Sequence, residues 1–282
     1  MRAGFRQRPG EVGDPSGDTT WRVLSDAAQD GPRNMALDEA IAYAVEAGRV
    51  PPTVRFYAWD RPTVSLGCLQ AGRGAVEREA CDRLGVEIVR RPTGGRAVLH
   101  DDELTYSVCV PLHGAWARLS VGESFRRIGE GLVAGLRRLG LAATLGKASD
   151  ARAASGEAQA CFLTPRMPAV LAEGKKLVGS AQRRLGGAIL QHGSVLVGVD
   201  LAMHQAVFPG WPREDPGKVV TWLKALVREV PTRSAIERAL IEGWAAALNI
   251  RGAAGDLTTW ERREAERLAV TRYATPAWTW RR

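Results

Sequence analysis

Up to about Asp200, apolar residues alternate with polar ones or gather in short runs. Beyond it they fall at helical spacings. A strand is expected at Trp21–Leu24, and Pro32 opens a helix over about Arg33–Glu46, where Met35, Ala36, Ile41, Ala44 and Val45 roughly fit one stripe. Val54–Trp59 and Thr63–Leu66 read as two strands around the turn Asp60-Arg61-Pro62. A short helix over Gly74–Leu84 is stopped by Gly85, and a strand follows at Val86–Val89. The loop Arg90–Arg96 separates it from strands at Ala97–Leu99 and Leu104–Val110. Phe125, Ile128, Leu132, Leu136 and Leu139 recur at spacings of three and four behind the capping box Ser120-Val121-Gly122-Glu123, which predicts the clearest helix of the chain. Leu141–Leu145 reads as a strand and Lys147–Ala160 as a surface loop. Val170–Gly198 reads as two or three strands turning at Gly174 and Gly186-Gly187. Helices are expected near Thr232–Leu248 and Thr258–Thr271, the latter behind a second capping box. The frequent hairpins predict an α/β (α+β) fold, a mixed, mainly antiparallel sheet flanked by helices, with a helical C-terminal portion.

The 282 residues suit one large domain with a small appendage, and 45% hydrophobic with 25% charged residues is ordinary globular composition. Residues 1–20 are rich in Gly, Pro, Arg and Asp and read as a disordered basic tail. Residues 21–250 are expected to form the main domain, and 251–282 a C-terminal helix and tail packed on it. The net charge of +8 fits a solvated basic surface or an acidic protein partner; no zinc spacing, RNA-binding aromatic motif or dense basic run supports nucleic acid. No run reaches transmembrane length and the N-terminus lacks a signal-peptide core, so a cytoplasmic protein without membrane contact is expected. Of four cysteines, Cys68, Cys81 and Cys109 sit in strand-like or helical patterns that suit buried thiols, and none forms a C-x-x-C pair. Cys161 lies on a polar stretch instead.

Three segments carry candidate chemistry. In Arg90-Arg91-Pro92-Thr93-Gly94-Gly95-Arg96-Ala97-Val98-Leu99-His100-Asp101, two glycines would let the backbone approach a ligand; the same residues also suit a surface hairpin. In Gly174-Lys175-Lys176-Leu177-Val178-Gly179-Ser180-Ala181-Gln182, the small residues leave room beside a sheet, while Lys176 alone would equally suit a solvated strand end. In Gln191-His192-Gly193-Ser194, a histidine interrupts an apolar strand, as a satisfied structural histidine also would.

In this order the segments resemble those of the biotin/lipoate protein ligase superfamily, over about Trp21–Asp200 and more weakly over Thr271–Arg282. Lipoate ligases read R-R-x-[ST]-G-G-G-x-V-x-H-D, G-K-K-[IL]-x-G-S-A and H-G-[ST]-[IL]-L. The biotin-ligase run G-R-G-R-x-G-R is absent here. So are the third glycine, replaced by Arg96, and the adenylate-binding Arg-Asn-Asp stretch, in whose region stands Ala160-Cys161-Phe162-Leu163-Thr164-Pro165. The combination is similar to the octanoyltransferase branch of the superfamily. That resemblance implies transfer of octanoate from octanoyl-acyl carrier protein, through a thioester on Cys161, to the lipoyl lysine of the glycine-cleavage H protein or another lipoyl domain. It implies Lys176 as the activating partner and substrate contacts from Arg91, Thr93, Gly94, Gly95, His100, Gly179, Ser180, Ala181, Gln182, His192 and Gly193. Neither ATP nor a metal is expected, and a monomer is. Two alternatives remain within the superfamily: an ATP-dependent lipoate ligase in which Cys161 is incidental, and an amidotransferase between lipoyl domains, which typically departs at R-R-P-T-G-G-R and lacks the His-Gly pair.

Overall fold

The computed structural model describes residues 19–146, 169–211, 217 and 219–282. The chain forms β1 (Thr19–Ser25), α1 (Gly31–Glu46), β2 (Thr53–Tyr57), β3 (Thr63–Leu66), α2 (Arg78–Leu84), β4 (Glu87–Arg90), β5 (Val98–His100) and β6 (Glu103–Pro111). There follow α3 (Val121–Arg138), β7 (Ala143–Leu145), β8 (Val170–Ala172), β9 (Lys175–Leu185), β10 (Ala188–Leu196), α4 (Leu201–Val207) and α5 (Leu223–Leu226). The last elements are α6 (Arg233–Leu248), β11 (Ile250–Ala254), α7 (Thr259–Leu268), a π-helical turn at Ala269–Tyr273 and α8 (Pro276–Thr279).

Among the described residues, eight strands form the main sheet in the order β11-β1-β2-β6-β10-β9-β8-β7. β1 is parallel to both its neighbours; the remaining pairs are antiparallel. A smaller sheet has the order β4-β3-β5. The expected mixed, mainly antiparallel architecture is therefore the one observed. No helix among the described residues is long and apolar enough to cross a membrane.

The helix starts follow local chemistry. The Asp30 carboxylate accepts the Arg33 N–H at 2.8 Å at the head of α1, with Pro32 in its first turn. Ser120 and Glu123 exchange both bonds of a capping box before α3, and Thr258 and Glu261 do so before α7. α2 starts only at Arg78, later than expected, because the preceding chain is held elsewhere: the Gly72 N–H bonds the Arg282 carbonyl.

Two readings are corrected. β2 and β3 are not a hairpin: β2 pairs in the main sheet and β3 in the small one. The Asp60–Pro62 turn carries the chain between sheets, since the Asp60 N–H bonds the Gln29 carbonyl while the Pro62 carbonyl accepts from the Glu87 N–H. The strand β11 was not expected at all. Ile250-Arg251-Gly252-Ala253-Ala254 has little β propensity of its own and is ordered by pairing with the outer edge of β1. It lies across the expected division after residue 250.

The main sheet is covered on both faces. On one face Val54, Phe56, Tyr106, Val108 and Ile189 pack with Ile128, Leu132 and Leu136 of α3 and Leu240 and Trp244 of α6. On the other lies α1, backed by α7. A bidentate Arg22–Glu261 pair, 8% and 0% exposed, ties β1 to α7. The C-terminus closes on the small sheet: Arg90 donates to the Thr279 carbonyl, Trp278 to the Arg90 carbonyl, and Arg281 to the Cys68 carbonyl. Cys68, Cys81 and Cys109 are buried free thiols, as their patterns predict.

Candidate active site

The three segments converge on one pocket between the two sheets. Arg91, His100, Gly179, Ser180, Ala181, His192 and Gly193 line it. The strand register explains the convergence, because β9 and β10 place Ala181 opposite His192, Ser180 opposite Gly193 and Gly179 opposite Ser194. Met35, Tyr57, Trp59 and Val98 supply apolar wall. Apolar walls with a few convergent polar groups are the usual make-up of a small-ligand site.

Glycine is required where backbones meet. A Cβ on Gly193 would stand 2.4 Å from the Gly179 carbonyl oxygen and 2.9 Å from the Tyr106 ring. One on Gly67 would stand 1.9 Å from the Gly95 carbonyl oxygen, so the turn after β3 presses directly on the glycine loop. Arg91 supports that loop from inside. Its Nη2 donates to the Gly94 and Arg96 carbonyls at 2.6 and 2.7 Å, and its Nη1 donates to the Ser65 carbonyl at 2.7 Å. Gly95 itself adopts φ 90°.

His192 joins the loop to α1. Its Nε2 lies 2.6 Å from Thr93 Oγ1 and its Nδ1 2.9 Å from Asp38 Oδ2. Asp38 is fully buried and also accepts from Arg55, Tyr57 and Ser107 at 2.8–2.9 Å. Burial raises its pKa, but the His192 bond, the Arg55 charge and the Ser107 bond outweigh it, so the carboxyl sits below its ordinary range. Burial lowers His192, and Asp38 only partly offsets this, so the ring is neutral near pH 7. A carboxylate accepts only, so Nδ1 carries the proton and Nε2 accepts from the Thr93 hydroxyl. His100 has a parallel setting, with Nε2 2.7 Å from Ser65 Oγ, Nδ1 2.8 Å from Glu103 Oε1, and the Trp59 ring stacked at 4.2 Å.

The other expected residues stand as follows. Ser180 bonds the Tyr106 hydroxyl at 2.7 Å; burial pushes that phenol up to about 12. Gln182 bonds Gln191 and Ser124 of α3 and does not line the pocket. Lys176 is only 6% exposed, not a solvated strand end. It stands three residues before Gly179 in β9, and its main chain bonds Val219 and Thr221. Cys161 and the expected loop at 147–160 lie outside the described residues. Beyond Val178, β9 has no described partner on its outer edge, because β8 pairs with it only that far. Among the described residues no group of three or more His, Cys, Asp or Glu is disposed to hold a metal ion.

Sequence reasoning missed Asp38, Arg55, Tyr57, Ser65, Trp59 and Glu103. The available signal was an arginine inside the strand Thr53-Val54-Arg55-Phe56-Tyr57 and two acids, Asp38 and Glu39, amid the alanines of α1.

The family described as Lipoyl protein ligase A/B catalytic domain matches residues 30–245. An octanoyltransferase LipM of Kyrpidia tusciae is 43% identical over 273 residues, covering 93% of this chain and 99% of its own length. That of Bacillus subtilis is 35% identical over 275 residues, covering 93% and 99%. A bipartite lipoate protein ligase from Thermoplasma acidophilum superposes with a TM-score of 0.77 at 27% identity, covering 93% of this chain and 96% of its own. A lipoate-protein ligase A bound with ATP does so with a TM-score of 0.77 at 27% identity, covering 94% and 99%.

Proposed function

The chain belongs to the lipoyl protein ligase A/B catalytic domain family, and from that premise we propose that it is an octanoyltransferase of lipoate biosynthesis working through Cys161. The observation that carries the reading is the near full-length match to octanoyltransferases together with the assembly of the three segments around one apolar-walled pocket. The octanoyl group comes from acyl carrier protein and goes to the lipoyl lysine of the glycine-cleavage H protein or a related lipoyl domain.

The chemistry divides into two exchanges. Cys161 Sγ, as thiolate, attacks the thioester carbonyl; the carrier thiolate leaves and takes a proton from the Lys176 side. The acceptor lysine, as free amine, then attacks the octanoyl-cysteine and returns a proton to the Lys176 side as Sγ leaves as thiolate. The first exchange replaces thioester by thioester and is nearly thermoneutral. The second makes an amide and drives the cycle, so neither ATP nor a metal takes part. A cationic Lys176 would lower the thiol pKa by charge. Backbone N–H groups of Gly179–Gln182, on a strand whose outer edge is open among the described residues, would receive the tetrahedral oxyanion. Burying about seven chain carbons contributes on the order of 5 kcal/mol at ~0.8 kcal/mol per methylene. The net charge of +8 favours encounter with an acidic carrier. The protein acts as a cytoplasmic monomer in this reading.

The test is incubation of the purified protein with octanoyl-acyl carrier protein and H protein without ATP. An octanoyl adduct on Cys161 is expected by mass spectrometry, and Cys161→Ala should lose both adduct and transfer. Lys176→Ala should stay folded but slow transfer by about 100-fold or more. ATP-free transfer by Cys161→Ala would overturn the mechanism. Because one structural relative binds ATP, ATP–pyrophosphate exchange with octanoate or lipoate is measured alongside; its appearance would favour a ligase.

A further inference from the structure

The pocket wall carries a constellation to which this transfer assigns no proton chemistry. Ser65 of β3, His100 of β5 and Glu103 of β6 stand in line, with Ser65 Oγ 2.7 Å from His100 Nε2 and His100 Nδ1 2.8 Å from Glu103 Oε1. Glu103 Oε1 also accepts the Thr105 and Ser194 hydroxyls at 2.6 and 2.8 Å, which holds the carboxylate against the ring. The proton therefore sits on Nδ1, and Nε2 is left to accept from Ser65. Arg91 Nη1 donates to Ser65 Oγ at 3.0 Å, placing a cation where an alkoxide would develop. Ser65 and His100 both line the pocket.

A purely structural role explains part of this, since a Ser–His bond would help hold β3 to β5. It does not explain the second carboxylate oxygen. Glu103 Oε2 is buried without a hydrogen-bond partner among the described residues. Leaving a buried acceptor unpaired is unfavourable. A positive charge on the neighbouring imidazole, as arises when His100 takes the serine proton, would offset it.

We propose that Ser65, His100 and Glu103 form a second acyl-handling centre, which takes a medium-chain acyl group from an ester or thioester and releases it to water. The proposal rests on reading the pocket as an acyl site. Ser65 Oγ attacks the acyl carbonyl carbon while its proton passes to His100 Nε2. The bond from that carbon to the leaving oxygen or sulfur breaks, and the leaving group takes the proton from His100. Water then attacks the serine ester, giving its proton to Nε2. The acyl–Oγ bond breaks, Ser65 recovers the proton, and the free acid departs. Acyl groups held without an acceptor would thereby be discharged.

The test uses the full chain carrying Cys161→Ala, so that the cysteine cannot react, with p-nitrophenyl octanoate as probe. Release of p-nitrophenol and an octanoyl mass increment on the peptide containing Ser65 are expected. Adding Ser65→Ala should reduce both by about 100-fold or more, and adding His100→Gln should slow release by a similar factor. Adding Ser65→Cys should restore adduct formation. Release that persists unchanged in the Ser65→Ala protein, or no adduct on Ser65 in protein shown to be folded by circular dichroism, overturns the proposal. The transfer reading fails by a separate result, namely ATP-free octanoylation of H protein by Cys161→Ala.

Discussion

The two faces of the main sheet use the same strands in opposite ways. Toward α3 and α6, alternate positions of β2, β6 and β10 are Val54 and Phe56, Leu104, Tyr106 and Val108, and Ile189 and Val195, and the contact is largely apolar. Toward α1 the intervening positions include Arg55, Ser107 and His192, all buried and all bonded to Asp38. The first face is held by close packing, the second by a hydrogen-bonded charge network. Packing tolerates adjustment in small steps, whereas a buried network fails when one member is lost. The candidate pocket opens on the second face. Rigid polar positioning is concentrated there, and the α3–α6 face acts as its support.

The polar network depends most on Asp38. Asp38→Ala leaves Arg55, His192, Tyr57 and Ser107 without their common acceptor and should cost about 3–5 kcal/mol in urea unfolding. A loss below about 1 kcal/mol would mean that the network is dispensable. On the apolar face the matching test is Gly243→Ala, whose Cβ would stand 2.3 Å from the Gly131 carbonyl oxygen and the Gly135 nitrogen. Overpacking of that kind should cost about 1–3 kcal/mol, less than the polar loss.

On the polar face acid should act first through His192, alongside His204 of α4, whose pKa burial also lowers. His192 has a folded pKa below its ordinary value of about 6.5, so the unfolded chain protonates first as pH falls. Its contribution is therefore whole above about pH 6.5 and is lost as pH falls from there through the folded value. Asp38 is depressed below its ordinary value, so its contribution holds above about pH 3.9 and is lost only as pH falls further, through its folded value. The slope from His192 is at most ~1.4 kcal/mol per pH unit, and His192→Gln should flatten denaturation midpoints measured just below pH 6.5. An unchanged slope in that variant would assign the acid response elsewhere. The smallest effect belongs to the support face. Thr232→Ala removes the N-cap of α6 and should cost about 1 kcal/mol, with little change in the pH profile. Thermal unfolding at two pH values checks both parts.

Much of the fold was legible where local chemistry and burial agree. The start of α3 follows from its capping box, and its buried residues Phe125, Ile128, Leu132 and Leu136 are those of the predicted stripe. α1 was legible as a helix but not as a wholly enclosed one. Its Asn34 and Asp38 are buried against Arg55 of the main sheet, and Glu39 against Arg272 and Tyr273. In the site, the glycine loop, His100 and His192 were legible as motif residues. Asp38, Arg55 and Glu103 were not, because a polar residue on a strand or helix reads as solvated unless its covering element is known.

The helix caps, the Gly turns between strands, the mainly antiparallel sheet and the order of the three segments follow from local sequence, since these depend on neighbours within a few residues and on side-chain periodicity. Tertiary structure decided the rest. It separated β2 from β3, made a strand of Ile250–Ala254 at the edge of β1, and brought residues as distant as Thr93, Asp38 and His192 within hydrogen-bonding reach. The physical reason is that an unpaired strand edge or a buried charge is satisfied only by partners that the folded chain supplies from far away in sequence.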